Sequence, residues 1–358
     1  VRDGKLYGRG CSDDGYSVYA ALTAIRALED AGIPHPRAVG LIETREESGS
    51  NDLEHYLKKN AARFGSPRLV CVLDSGAGNY EQLWLTSSLR GACAIDLNVR
   101  VLRQGMHSGT ASGVVPSSFD VLRILLDRIQ DPRTGAILDP AFNVEIPSNR
   151  MDDLKKTAEV LGDGFISEFP WAEGPNGSVQ SRCRGTEEAL IARCWKPTLS
   201  VTGAAGLPPL SMAGNSLRSD TTLRLSFRLP PTAKTENILP ALQKKLLTDP
   251  PFNAVVSIAG GDALPGWNAP SEADWFRSAC DESSKALWGK PAMRIGEGGS
   301  IPILNLFEAQ FPRAQFAVTG VLGPGSNAHN ADESLDLAYT EKFIAAVGYL
   351  AASIPEEA

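Results

Sequence analysis

Two short apolar runs, each ending in acid, constrain the fold of this chain more than any other feature. Residues 38–42 (AVGLI) lead into Glu43, Glu46 and Glu47, and residues 69–73 (LVCVL) end at Asp74. Apolar runs of about five residues suit strands covered on both faces better than buried helices. Residues 15–31 carry apolar side chains at helical spacing, closed by Gly32 and Pro34, and residues 52–59 read as a further helix. The order helix, strand, helix, strand predicts an α/β unit with a largely parallel sheet. Ligands bind such sheets beyond the carboxyl ends of the strands, which is where these acids fall. A single acidic strand end reads equally well as the start of a surface loop. Two strands delivering acids in the same way point to a site.

The pattern changes after residue 90. Residues 92–103 and 221–229 alternate apolar and polar, as half-exposed strands do. Residues 119–129 and 237–247 are predicted helices, residues 252–258 a strand, and residues 152–161 a helix in a turn-rich insertion. This is the pattern of an α+β sandwich with one open sheet face, of whose four strands three are visible. The α/β pattern then resumes. A helix is predicted over 271–288, capped by Ser271, then a glycine-rich stretch from Gly296 to Pro302. A strand over 316–321, a loop over 323–333 and a closing helix over 335–350 follow. The expected division is a discontinuous first domain, 1–90 and 264–358, interrupted by a second at 91–263.

Composition narrows the function. The 358 residues carry a net charge of -7, which argues against a general nucleic-acid surface. No apolar run reaches the roughly 18 residues of a membrane span. The six cysteines form no CxxC pair, so reduced thiols in a cytoplasmic protein are expected, with a Cys183–Cys194 disulfide as the alternative. No signal peptide is read at the start.

Only four histidines are present. His35 and His55 lie near helix connections and read as surface residues. His107 and His329 sit among glycines and small polar residues, where packing does not call for an imidazole. Asp13, Glu47, Asp74 and His329 all fall in loops beside predicted strands of the first domain, and zinc takes about four such N/O ligands. The adjacent Glu46 and Glu47 are able to divide the work, one binding metal and the other activating water; solvated loop charge is the competing reading. The Gly298-Gly299-Ser300 stretch is able to present backbone N–H groups to an anion. It is not a phosphate loop, since no GKS or GKT follows, and the chain has no GxSxG elbow. A Cys11–His107 pair has nothing to mark it as activated.

Six segments together resemble one family. They are Asp3–Asp14 (DGKLYGRGCSDD), Glu46-Glu47-Ser48-Gly49-Ser50, Asp74-Ser75-Gly76, Met106-His107-Ser108-Gly109, Gly298-Gly299-Ser300-Ile301-Pro302, and Asn327-Ala328-His329 followed by Asp332-Glu333. In this order they resemble the zinc exopeptidases and deacylases of peptidase family M20. That family includes carnosinase-like dipeptidases, glutamate carboxypeptidases, aminoacylases and acetylornithine deacetylases. The resemblance spans essentially the whole chain and is greatest to the dipeptidase-like branch.

The resemblance implies a zinc-binding α/β/α catalytic domain with an inserted α+β lid and dimerisation domain. It implies two divalent metal ions, zinc with manganese or cobalt as alternatives. Asp13 would bridge them, Asp74 would complete one, and Glu47 and His329 the other. Glu46 would be the general base, and His107 would stabilise the oxyanion from the partner subunit of a homodimer. Asn215 resembles a second group contributed by the partner. Arg228 in SFRLP, with Gly299 and Ser300, would hold the substrate carboxylate. The implied reaction is metal-dependent hydrolysis of a peptide or amide bond next to a free carboxylate, as in a dipeptidase or carboxypeptidase. An N-acyl-amino-acid deacylase and a non-catalytic binding or assembly protein are the alternatives. The sequence departs from the pattern in two places. Gly15 stands where many relatives have Lys, and no His-x-Asp motif precedes the Gly-Arg-Gly segment. The N-terminal part of the catalytic domain is therefore expected to be absent from this chain and supplied by an upstream segment of the same gene product, with a stand-alone short form as the alternative.

Overall fold

The computed structural model describes residues 1–50 and 52–356. Strand Leu69–Val72 pairs in parallel with Gln315–Val318. Trp84–Leu89 is flanked by Trp267–Asn268, antiparallel, and by Met293–Glu297, parallel. The two groups are tied together where the Thr319 hydroxyl donates to the Trp84 carbonyl at 2.6 Å and the Ser75 and Thr86 hydroxyls meet at 2.5 Å. Side-chain alternation divides the faces of this layer. Leu69 and Ala317 point to a core formed with helices Tyr16–Asp30, Asp274–Trp288 and Leu337–Ala352. Val70, Val72, Phe316 and Val318 point to the other side, towards Leu304 and Phe311. Helices thus cover both faces of a mixed sheet, as the α/β pattern requires.

The second sheet is wholly antiparallel, in the order Val255–Leu264, Gly91–Arg100, Asp220–Leu229, Thr198–Ala205. Cys93, Ile95, Leu97 and Val99 face one side with Leu223, Leu225, Phe227 and Leu229, and pack on helices Ser118–Asp127 and Ile238–Leu247. The opposite face carries the exposed Arg224–Asp96 ion pair at 2.7 Å. This is the open sheet face that alternation predicts, and Thr198–Ala205 is the fourth strand.

Helices Ser148–Leu161 and Thr186–Trp195 lie within the 91–263 stretch, yet they pack against the first sheet. The Thr157 hydroxyl donates to the Arg294 carbonyl at 2.7 Å, and the Cys194 thiol to the Gly296 carbonyl at 2.9 Å.

Three expectations are corrected. Residues 38–42 form no strand; Val39, Leu41 and Ile42 are exposed, and no neighbour among the described residues takes up their backbone hydrogen bonds. Ser271 does not cap its helix, which begins at Asp274, with the Ala273 amide donating to the Gln315 side chain at 2.7 Å. Cys183 and Cys194 are not paired, and all six cysteines are free thiols.

Candidate active site

Three loops from distant parts of the chain converge on one acidic cluster. Asp13 lies in the turn between strand Lys5–Tyr7 and helix Tyr16–Asp30. Glu46 and Glu47 open a single 3-10 turn, Glu46–Ser48, which Gly49 closes at φ 95°. His329 lies between strands Gln315–Val318 and Ser334–Asp336 at φ 63°. A left-handed backbone is uncommon outside glycine, although His, Asn and Asp adopt it more readily than most residues. His329 Nε2 lies 2.8 Å from Asp13 Oδ2 and 2.8 Å from Glu47 Oε1. The ligand atoms of Asp13, Glu47 and His329 all lie within 4.8 Å of one another.

The remaining acids share this field. Asp74 follows strand Leu69–Val72, whose end is held by the Tyr16 hydroxyl donating to the Leu73 carbonyl at 2.8 Å. Burial, then the charges of Asp14, Asp13, Glu46 and Glu47, push the Asp74 carboxyl up to about 7. Glu46 is raised by burial and then by Glu47, Asp13 and Asp14. His329 is raised by Glu47 foremost and also by Asp13, against the partial burial that would lower it. Asp13 and Glu47 flank the imidazole, and Glu46 and Asp74 feel the same acidic charge, so a divalent cation is the natural relief. Two carboxylates and an imidazole at this spacing fit a zinc-type ion.

Glu333 is the residue that sequence reasoning missed, although it lies in a quoted motif. It is 2% exposed, and its carboxylate accepts from the Gly10 amide at 3.0 Å, the Ser12 amide at 3.0 Å, the Ser12 hydroxyl at 3.1 Å and the Asp13 amide at 3.1 Å. It joins the His329 loop to the Asp13 loop. The sequence signal was present, a carboxylate four residues after His329, but its partners are backbone amides and leave no sequence pattern.

Arg228 and Ser300 are brought together, Arg228 Nη1 donating to Ser300 Oγ at 3.3 Å. Ser300 Oγ donates in turn to the Arg90 carbonyl at 2.5 Å. A Cβ on Gly76, two residues past Asp74, would lie 2.7 Å from Glu297 Oε1, so the Asp74 loop and the Gly298–Ser300 loop are neighbours. Around Gly299 the space is open.

His107 and Asn215 form a separate pair. Met106–His107 pairs antiparallel with Ser216–Leu217, and the Ser108 amide donates to the Asn215 carbonyl at 2.9 Å. Both side chains are exposed. This ribbon lies beyond the Asp220 end of strand Asp220–Leu229, whereas Arg228 lies at its other end. The run from Asp220 to Arg228 alone spans roughly 26 Å at about 3.3 Å per residue.

Comparisons with known proteins give the family and the fold. The sequence profile of peptidase family M20/M25/M40 matches residues 1–354. A cysteinylglycine-S-conjugate dipeptidase of Corynebacterium striatum is 26% identical over 343 residues, covering 94% of this chain and 71% of that protein. The Cys-Gly metallodipeptidase dug1 of Schizosaccharomyces pombe is 26% identical over 345 residues, covering 93% of this chain and 70% of that protein. In structure, the dipeptidase Dug1p of Saccharomyces cerevisiae superposes with a TM-score of 0.76 at 23% identity, over 99% of this chain and 74% of its own. Human carnosine dipeptidase 1 superposes at 0.73 and 21% identity, over 99% and 74%. With its ligand-type residues gathered in one cluster and the family profile matched almost from end to end, the chain belongs to peptidase family M20/M25/M40.

Proposed function

We propose that this chain is a metal-dependent dipeptidase that cleaves the amide bond next to a free C-terminal carboxylate. The convergence of Asp13, Glu47 and His329, with Glu46 beside them, carries the reading. The curated relatives, named as dipeptidases, support the substrate class. In this reading Asp13, Glu47 and His329 would hold one zinc ion, and Asp74 would contribute to a second. When bound, the metals supply Lewis-acid polarisation of the scissile carbonyl and acidify water.

Glu46 takes the proton of the attacking water and returns it to the leaving amine. Its raised pKa suits a base that must also act as an acid. Arg228, Gly299 and Ser300 hold the substrate carboxylate. His107 and Asn215 serve the oxyanion of a neighbouring copy, because their ribbon and Arg228 lie at opposite ends of one strand. That separation supports a homodimer in which the 91–263 stretch, apart from the helices packed on the first sheet, acts as lid and dimerisation domain. Six free cysteines support a reducing, cytoplasmic setting.

The test is a substrate panel on the full gene product, upstream segment included, loaded with zinc, manganese or cobalt. Hydrolysis of dipeptides and not of N-acetyl-amino acids is expected. Cleavage confined to N-acetyl-amino acids would make it a deacylase, and no metal uptake with no turnover would make it a binding protein.

A further inference from the structure

Arg90 occupies the junction between the two sheets, directly after Trp84–Leu89 and before Gly91–Arg100. It is 8% exposed. Its Nε donates to the Gly298 carbonyl at 3.2 Å, and its Nη1 to the Thr198 hydroxyl at 3.3 Å. Its own carbonyl accepts the Ser300 hydroxyl at 2.5 Å. Arg90 therefore grips both ends of the Gly298–Ser300 loop. The contact is close: a Cβ on Gly298 would stand 3.1 Å from Arg90 Nη2, so glycine lets the loop rest on the guanidinium.

The charges around this loop do not balance. Arg193, in the helix beneath it, lies 3.3 Å from Glu297 Oε2 and is paired there. Among the described residues no carboxylate reaches salt-bridge distance of Arg90 or Arg228. Burial foremost, helped by the nearby Arg228 and Arg193 and opposed by the Cys194 thiol, pushes the Arg90 guanidinium down to about 10, the direction expected of a cation short of counter-charge. A buried guanidinium without a counter-ion is costly, and an anion seated on the loop above would offset that cost.

We propose that Arg90 is a specificity-determining residue: it holds the Gly298–Ser300 loop from below and adds the second positive charge that makes this subsite select a free carboxylate over its amide. The proposal rests on the dipeptidase reading for the identity of the substrate. Arg90 need not touch the substrate, since the loop lies between them; it acts through the loop it holds and through its charge.

The experiment compares a dipeptide with its C-terminal amide on the metal-loaded protein, for wild type, Arg90→Gln, Arg90→Lys and Arg228→Gln. Wild type should favour the free acid. Arg90→Gln should cut that preference roughly tenfold, mostly through KM of the acid, the size of one nearby charge acting through the loop. Arg90→Lys should keep most of the preference, because the charge remains. Arg228→Gln should retain a residual preference supplied by Arg90. Equal losses on acid and amide in Arg90→Gln would overturn the proposal, as would complete loss of preference in Arg228→Gln, which stands even if Arg90→Gln fails to fold. Calorimetric binding of N-acetylglycine against N-acetylglycinamide gives the same comparison without turnover. Wild type that binds the acid selectively but cleaves no peptide would sink the dipeptidase reading alone.

Discussion

The Glu333 carboxylate accepts a hydrogen bond from the Asp13 amide at 3.1 Å, so the loop carrying His329 also fixes the backbone of the acid that His329 touches. Glu333 accepts four such bonds in all while almost fully buried. Glu333→Gln presents an amide donor to a ring of donors. It should destabilise the fold by roughly 3 kcal/mol, read by denaturant unfolding, and weaken zinc binding in calorimetry. Unchanged zinc affinity in a folded variant would reduce Glu333 to a purely structural tie. Burial works to raise Glu333, but the amides of Gly10, Ser12 and Asp13 hold it below the ordinary carboxylate value. A depressed carboxyl contributes stability above its unfolded pKa, and that contribution is lost as pH falls through its folded value.

Glu46→Gln should keep bound metal and lose turnover by about two to four orders of magnitude, the usual contribution of a positioned general base. Metal analysis alongside kcat separates the roles. Retained activity would remove Glu46 as base, and lost metal would make it a ligand.

The acidic cluster makes the metal-free protein sensitive to pH. Asp74 is raised from 3.8 to about 7 by burial and then by its acidic neighbours. Its proton is held more tightly in the folded state, so its contribution to stability is complete below its unfolded value and is lost as pH rises towards and through 7. His329, raised chiefly by Glu47, works in the same direction above the ordinary imidazole value. Metal-free protein should therefore melt lower at pH 8 than at pH 6. Zinc should raise Tm more at pH 8, with proton release visible as buffer-dependent binding heat. A melting temperature independent of pH between 6 and 8 would contradict the clustered geometry.

The distance between the His107–Asn215 ribbon and Arg228 leads to a complementation test. His107→Ala and Glu46→Gln proteins should each be nearly inactive. Mixed after reversible dissociation, they should recover about a quarter of wild-type turnover, since half the dimers then hold one intact site. No recovery in verified mixed dimers would place His107 in the site of its own chain.

The sequence and the structure meet unevenly. The ligand-type residues were legible because their chemistry is carried by residue type: His329 in a loop of glycine and asparagine has no packing reason to be there. The second sheet was legible where one face is buried and the other wet, as in Asp220–Leu229. Strand Trp84–Leu89 was not, although it is buried throughout. Thr86, Ser87 and Ser88 interrupt its apolar pattern, and the first two are satisfied by Ser75 and by the Ile295 carbonyl, partners visible only in three dimensions. Thr198–Ala205 is a mostly exposed edge strand with few bulky side chains, so it left no period to read.

By itself, the sequence determined the chemistry available: which acids and imidazoles sit in loops, which helices and strands bury one face, and the order of six motifs that marks the family. The tertiary structure decided which of these meet. It brought Asp13, Glu47 and His329 within 4.8 Å, set the buried Glu333 beneath them, and placed Arg90 under the loop that Arg228 faces. The physical reason is that side-chain type and local periodicity are properties of neighbouring residues. Hydrogen bonds to backbone amides and the balance of buried charge arise only when segments hundreds of residues apart are packed against one another.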